Sequence, residues 1–230
     1  MRLAALLLAA CLASPCAADI VSARYAQPTT RYDHGILGDS VEYGALELSL
    51  RGGARRRIVL PETRVFEDVA PRLADLDGDG AAEVIAVETD LSRGARLSVY
   101  GSDGLIDATP FIGTRHRWLA PLGAADLDGD GHVEIAYVDR PHRARILRIW
   151  RYRGGALTEV AQAGGLTNHR IGDRTISGGL RECGQGPELL LTDPDWRGVV
   201  AVRMENGRLV RRALSLPATP AGFAAAASCR

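Results

Sequence analysis

The chain has no lysine: its 28 basic residues are all arginine, and 28 acidic residues balance them to a formal net charge of +0. A neutral chain lacks the electrostatic footprint that draws proteins to a phosphate backbone, so no nucleic-acid partner is expected. Long hydrophobic runs are missing too. The longest, at the N-terminus, covers Leu3 to Leu12, about half of what a transmembrane helix needs. Neither a His-Glu-x-x-His zinc motif, nor a Gly-x-Ser-x-Gly nucleophile elbow, nor a phosphate loop is present. No catalytic residue is assigned on that basis.

Cysteine is sparse and unevenly placed. Met1-Arg2, the apolar run and Cys16-Ala17-Ala18 make an export signal over residues 1–18, cleaved before Asp19, with a single mature domain over 19–230. A lipoprotein anchored at Cys11 is the minor alternative, because Leu8-Ala9-Ala10-Cys11 resembles a lipobox. Cleavage after Ala18 removes Cys11 and Cys16 and leaves Cys183 and Cys229, which in an exported protein are expected to pair. A periplasmic or extracellular monomer follows as the expectation.

What the chain does have is one loop written twice. Ala74-Asp75-Leu76-Asp77-Gly78-Asp79-Gly80-Ala81-Ala82-Glu83 returns as Ala125-Asp126-Leu127-Asp128-Gly129-Asp130-Gly131-His132-Val133-Glu134. Carboxylates at loop positions 1, 3, 5 and 9 converge only if the backbone curls, and the glycines at 4 and 6 permit that curl. Acids so close repel without a cation, and Ca²⁺ suits a hard, oxygen-rich and tolerant site. Position 12 is Ala86 or Tyr137, not the bidentate Glu of an EF-hand, and short apolar strands follow in place of a helix.

A loop of this form followed by an apolar strand resembles the FG-GAP/VCBS repeat of integrin-α-type β-propellers. The resemblance implies two Ca²⁺ ions that brace the loops. One would be held by Asp75, Asp77, Asp79 and Glu83 with the Ala81 carbonyl. The other would be held by Asp126, Asp128, Asp130 and Glu134 with the His132 carbonyl.

A second periodicity runs through the whole chain. Glycine turns at Gly52-Gly53, Asp103-Gly104, Gly154-Gly155 and Asn206-Gly207 have second residues 51, 51 and 52 positions apart. Each separates two apolar runs, as a hairpin turn does. The period predicts a small all-β propeller of four blades, each a four-stranded antiparallel sheet, over about 20–60, 65–111, 119–164 and 171–215. One period before Asp75 lies Arg24, and one before Glu83 lies Tyr32; blade four, with Gly178 to Pro187 as its loop, has lost the aspartates.

The remaining candidates are weaker. His34 and His169 could face a central funnel, whereas His132 belongs to the second loop. Arg55 to Arg57, and the group Arg140, Arg143, Arg145 and Arg148, read either as an anion patch or as side chains paired with nearby acids. Trp118, Trp150 and Trp196 do not follow the blade period, so inter-blade packing is expected of them before sugar stacking. Asp193-Pro194-Asp195-Trp196 is a candidate rim site. The functional expectation is a non-enzymatic calcium-binding module for a protein or glycan ligand. The alternatives are a hydrolase or lyase with its site in the funnel, and a calcium-dependent lectin.

Overall fold

Apolar runs of β-branched residues broken by glycine turns give strands almost throughout residues 19–230, which are the residues the computed structural model describes. The expected signal segment 1–18, with Cys11 and Cys16, lies outside the described residues. The described residues are all-β, 50% strand and 4% helix, in three antiparallel sheets, none of which closes on itself.

The strands fall into four consecutive units at the expected period. The first holds β1 (Ile20–Thr29), β2 (Glu42–Leu50) and β3 (Arg55–Val59). The second holds β4 (Arg64–Phe66), β5 (Arg72–Ala74), β6 (Glu83–Asp90), β7 (Gly94–Gly101) and β8 (Gly104–Ala108). A bridge from Tyr43 to Phe66 joins these two units into one eight-stranded sheet. The third unit is β9 (Leu119–Ala125), β10 (Val133–Asp139), β11 (Ile146–Arg153) and β12 (Ala156–Gly164). The fourth is β13 (Gly179–Glu182), β14 (Pro187–Thr192), β15 (Val199–Glu205) and β16 (Arg208–Ala213).

Two expectations change at the edges. Unit one has three strands, and Arg24 sits within β1 where period counting put an acid-loop equivalent. In unit four, β13 takes up Gly179–Glu182, so the shrunken loop is only residues 183–186. Gly178 permits the entry into β13. Its φ is +86°, and a Cβ there would meet the Leu190 carbonyl oxygen at 2.0 Å.

Burial explains how the units stack. Both faces of β6 are buried along its whole length, as expected of a strand packed between neighbouring sheets. Leu46, Leu48, Phe66, Val84 and Tyr100 fill the layer between units one and two. Ile85, Leu97, Trp118, Leu119 and Ile135 fill the next layer, and Leu122, Val138, Ile149, Leu189 and Val202 the third. Trp118 is thus a packing residue, as the sequence led one to expect.

The far side of unit four is covered from within the chain. Helix α1 (Pro220–Ala227), capped by Thr219, lays Phe223 and Ala226 over Leu190, Val199 and Ala201. Cys183 and Cys229 form the expected disulfide, with Cα atoms 5.7 Å apart, and so fasten the helix to the end of β13. Closing a loop of this length stabilises by about 3–4 kcal/mol in the chain-entropy picture.

Candidate metal centre and central cavity

Antiparallel pairing sorts the connections onto two faces. The acidic loops (β5–β6 and β9–β10) and the glycine hairpins lie on one face. The β10–β11 loop and the links between units lie on the other.

In the first acidic loop, Gly78 and Gly80 have φ of +79° and +88°, so the chain curls inward as the pattern requires. Asp75 accepts from the Gly78 and Gly80 amides at 2.7 and 3.0 Å, and Glu83 accepts from the Leu76 amide at 2.9 Å. Carboxylate oxygens of Asp75, Asp77 and Glu83 gather within 4.8 Å of one another, and Asp79 is held beside them by the Ala81 amide. Burial pushes the Glu83 carboxyl above its usual range, and Asp77, Asp79 and Asp75 push it further. Among the described residues, no arginine or histidine is ion-paired with these four acids. An all-oxygen donor set with unbalanced negative charge fits Ca²⁺.

The second loop repeats this backbone, with Asp126 holding the Gly129 and Gly131 amides and Glu134 holding that of Leu127. Asp126, Asp128 and Glu134 gather in the same way. Its charge balance is different. Arg151, opposite Glu134 on β11, inserts its guanidinium among Asp128 (2.6 Å), Asp130 (2.9 Å) and Glu134 (2.6 Å). The first loop has Gly101 at the neighbouring strand position, one residue beyond the partner of Val84, and no such cation.

The fourth unit completes the series. Its acids are gone, and Glu188 binds Arg181 at 2.5 Å, Arg212 at 3.0 Å and Arg203 at 3.3 Å. Burial pushes the Glu188 carboxyl up, but Arg181 and Arg212 more than offset this and hold it below the usual range. From unit two to unit four, the glutamate that follows the loop gains arginine partners: none at Glu83, one at Glu134 and three at Glu188 among the described residues.

On the opposite face, loops from units one to four converge on a cavity of about 330 Å³ lined by His34, His116, Arg117, Trp118, His142 and Arg143, among others. His34 Nδ1 lies 2.5 Å from Glu67 Oε1, and Glu67 is fully buried. Burial raises the Glu67 carboxyl above its usual range, and the contact with His34 lowers it again in part. The His34 ring stacks on that of His116, which is 2.8 Å from Asp33. The Tyr32 hydroxyl accepts from the His116 amide at 2.9 Å.

His169 Nε2 lies 2.8 Å from the Asp173 carbonyl, which can only accept, so His169 Nδ1 is left to accept from His142 Nε2–H at 3.0 Å. Burial, then the neighbouring His169, lowers His142 to about 4. The His142 ring is therefore a neutral hydrogen-bonding group near pH 7, and burial lowers His169 as well. Four of the five histidines meet here. Sequence reading singled out His34 and His169 as funnel candidates but not His116 or His142, because nothing local links residues on separate connections.

The other candidates divide. Arg140 and Arg148 both pair with Asp139, and Arg57 pairs with Glu47, so the paired reading holds for them. Arg143 and Arg145 have no acidic partner among the described residues. Asp193 is occupied by Arg197, and Trp196 lies beneath the Arg170 guanidinium, 4.2 Å from the ring centroid.

Comparison with known proteins agrees with the loop pattern: residues 75–137 match the FG-GAP-like repeat family. No curated protein matches the chain. Among solved structures, an exotype rhamnogalacturonan lyase is similar at 14% identity and a TM-score of 0.47, over 84% of this chain and 48% of that one. The chain therefore spans about half the length of that relative. Among the described residues, no helix is long and apolar enough to cross a membrane.

Proposed function

We propose that this chain, which carries an FG-GAP-like repeat over residues 75–137, is an exported calcium-braced module of propeller type whose task is to bind a ligand. The observation that carries the calcium reading is the first acidic loop, where Asp75, Asp77 and Glu83 converge, with Asp79 beside them, and no cationic side chain among the described residues balances them. Bound there, Ca²⁺ would supply the positive charge that lets Asp75, Asp77, Asp79 and Glu83 stay ionised side by side. The Ala81 carbonyl is the expected fifth donor. The disulfide supports an oxidising compartment and therefore export.

Calcium should raise the melting temperature and a chelator should lower it. For an affinity of the extracellular kind, roughly 10⁻⁴–10⁻³ M, saturation at a hundredfold excess stabilises by about 2.7 kcal/mol. Asp77→Ala should abolish most of this response. A melting curve indifferent to calcium and chelator would remove the reading.

A second reading, an enzyme of the hydrolase or lyase class, draws support from His34. Buried Glu67 orients its imidazole at the wall of the cavity, the arrangement a general base needs. A panel of glycoside and ester substrates would test it. Turnover that falls at least a hundredfold in His34→Gln, with stability unchanged, supports the enzyme; absence of turnover on the whole panel supports a binding role alone.

A further inference from the structure

Arginine in this protein is, for the most part, paired with acid, as Glu88 with Arg64 and Arg96 or Asp139 with Arg140 and Arg148 illustrate. On the cavity face Arg140 follows that pattern, but four other arginines do not. Arg117 and Arg143 line the 330 Å³ chamber, and Arg145 and Arg170 line a second chamber of about 280 Å³. The chambers share Pro141, His142 and Ile171, so they adjoin, and the pair makes up a trough on this face. None of these four arginines has an ion-pair partner among the described residues. In addition, the Nε of Arg145 is buried and has no hydrogen-bond acceptor.

Like charges gathered in a concave wall repel one another, and a buried N–H without an acceptor, such as the Arg145 Nε, adds to the cost. In a chain of net charge +0, the clustering is a feature of position and not of composition. The two neutral histidines at the junction add hydrogen bonds without adding charge. Trp196, with Arg170 over its ring, gives the second chamber a rigid wall.

We propose that this trough binds an elongated ligand bearing two acidic groups, carboxylates or phosphates. Arg117 and Arg143 take one group, and Arg145 and Arg170 take the other. The site uses none of the calcium-loop residues and serves either functional reading. Arginine suits both acid types because its planar fork matches their paired oxygens.

The test titrates the full mature chain by calorimetry, in constant excess calcium, with glutarate and with fructose 1,6-bisphosphate; butyrate, glucose 6-phosphate and a neutral disaccharide are the comparators. At least one of the two doubly acidic ligands should bind at least tenfold more tightly than its counterpart with a single acidic group and weaken as salt is added, and whichever does so identifies the acid type. Arg143→Gln and Arg170→Gln, both at exposed positions, should each weaken binding at least tenfold. Arg208→Gln, on the exposed outer strand β16, should leave it unchanged. Binding of neither doubly acidic ligand, equal binding of ligands with one and two acidic groups, or equal loss in all three variants would overturn the proposal. Because Asp77→Ala should leave anion binding intact, failure of the calcium reading and failure of this one can be told apart.

Discussion

Arg151→Ala should make this protein fragile in chelator and restore it in calcium. Arg151 makes three ion pairs with the second loop, and Glu134, at the centre of them, is fully buried. Removing one partner of such a group leaves uncompensated charge, typically a loss of about 3–5 kcal/mol. Asp126, Asp128, Asp130 and Glu134 would then have the unbalanced character the first loop already has. Calcium should accordingly fill the second loop of the variant and recover most of the lost stability. In the wild type, an ion must displace a tethered guanidinium to enter, so calorimetry should count one calcium at the first loop and a second, at least a hundredfold weaker, if any. The variant should count two. Two equal sites in the wild type, or one site in both proteins, would show that Arg151 does not stand in for the metal.

Why one loop differs from its copy was not legible in the sequence. The aspartates and glycines are local, so their spacing alone announced the curl and the acid cluster. Arg151 lies 17 residues beyond Glu134 and reaches it only through the register of β10 against β11. The hairpins were legible for the same local reason. Gly52-Gly53, Gly154-Gly155 and Asn206-Gly207 all take positive φ at both residues, although at Asp103-Gly104 only the glycine does.

In unit one the Gly52-Gly53 hairpin keeps the period, but the position one period before Asp75 falls inside β1, because this unit has three strands and no acidic loop. The C-terminal helix was hidden by its composition: Pro220 to Ala227 is mostly alanine, with no amphipathic contrast to mark a buried face. The cavity was least visible of all. His34, His116, Arg143 and Arg170 sit on four separate connections, and only the stacking of units brings them together.

A large pH effect should come from Glu42, at the start of β2. Its side chain is buried (2% exposed) and has no cationic partner among the described residues. Burial first, then the negative charges of Glu67, Asp39 and Asp68, push its carboxyl up from 4.5 to about 9. The sign follows from proton counting. Between these two values the folded chain keeps a proton that the unfolded chain has released, so stability falls as pH rises. At about 1.4 kcal/mol per pKa unit, the loss is about 3.5 kcal/mol near pH 7 and about 6 kcal/mol near pH 9. Glu42→Gln cannot lose that proton. Chemical denaturation at about pH 5, 7 and 9 should find variant and wild type nearly equal at the lowest pH. The variant should gain steadily above it, most of all at the highest. Parallel curves would mean that Glu42 is ionised in the folded protein and has a cationic partner after all.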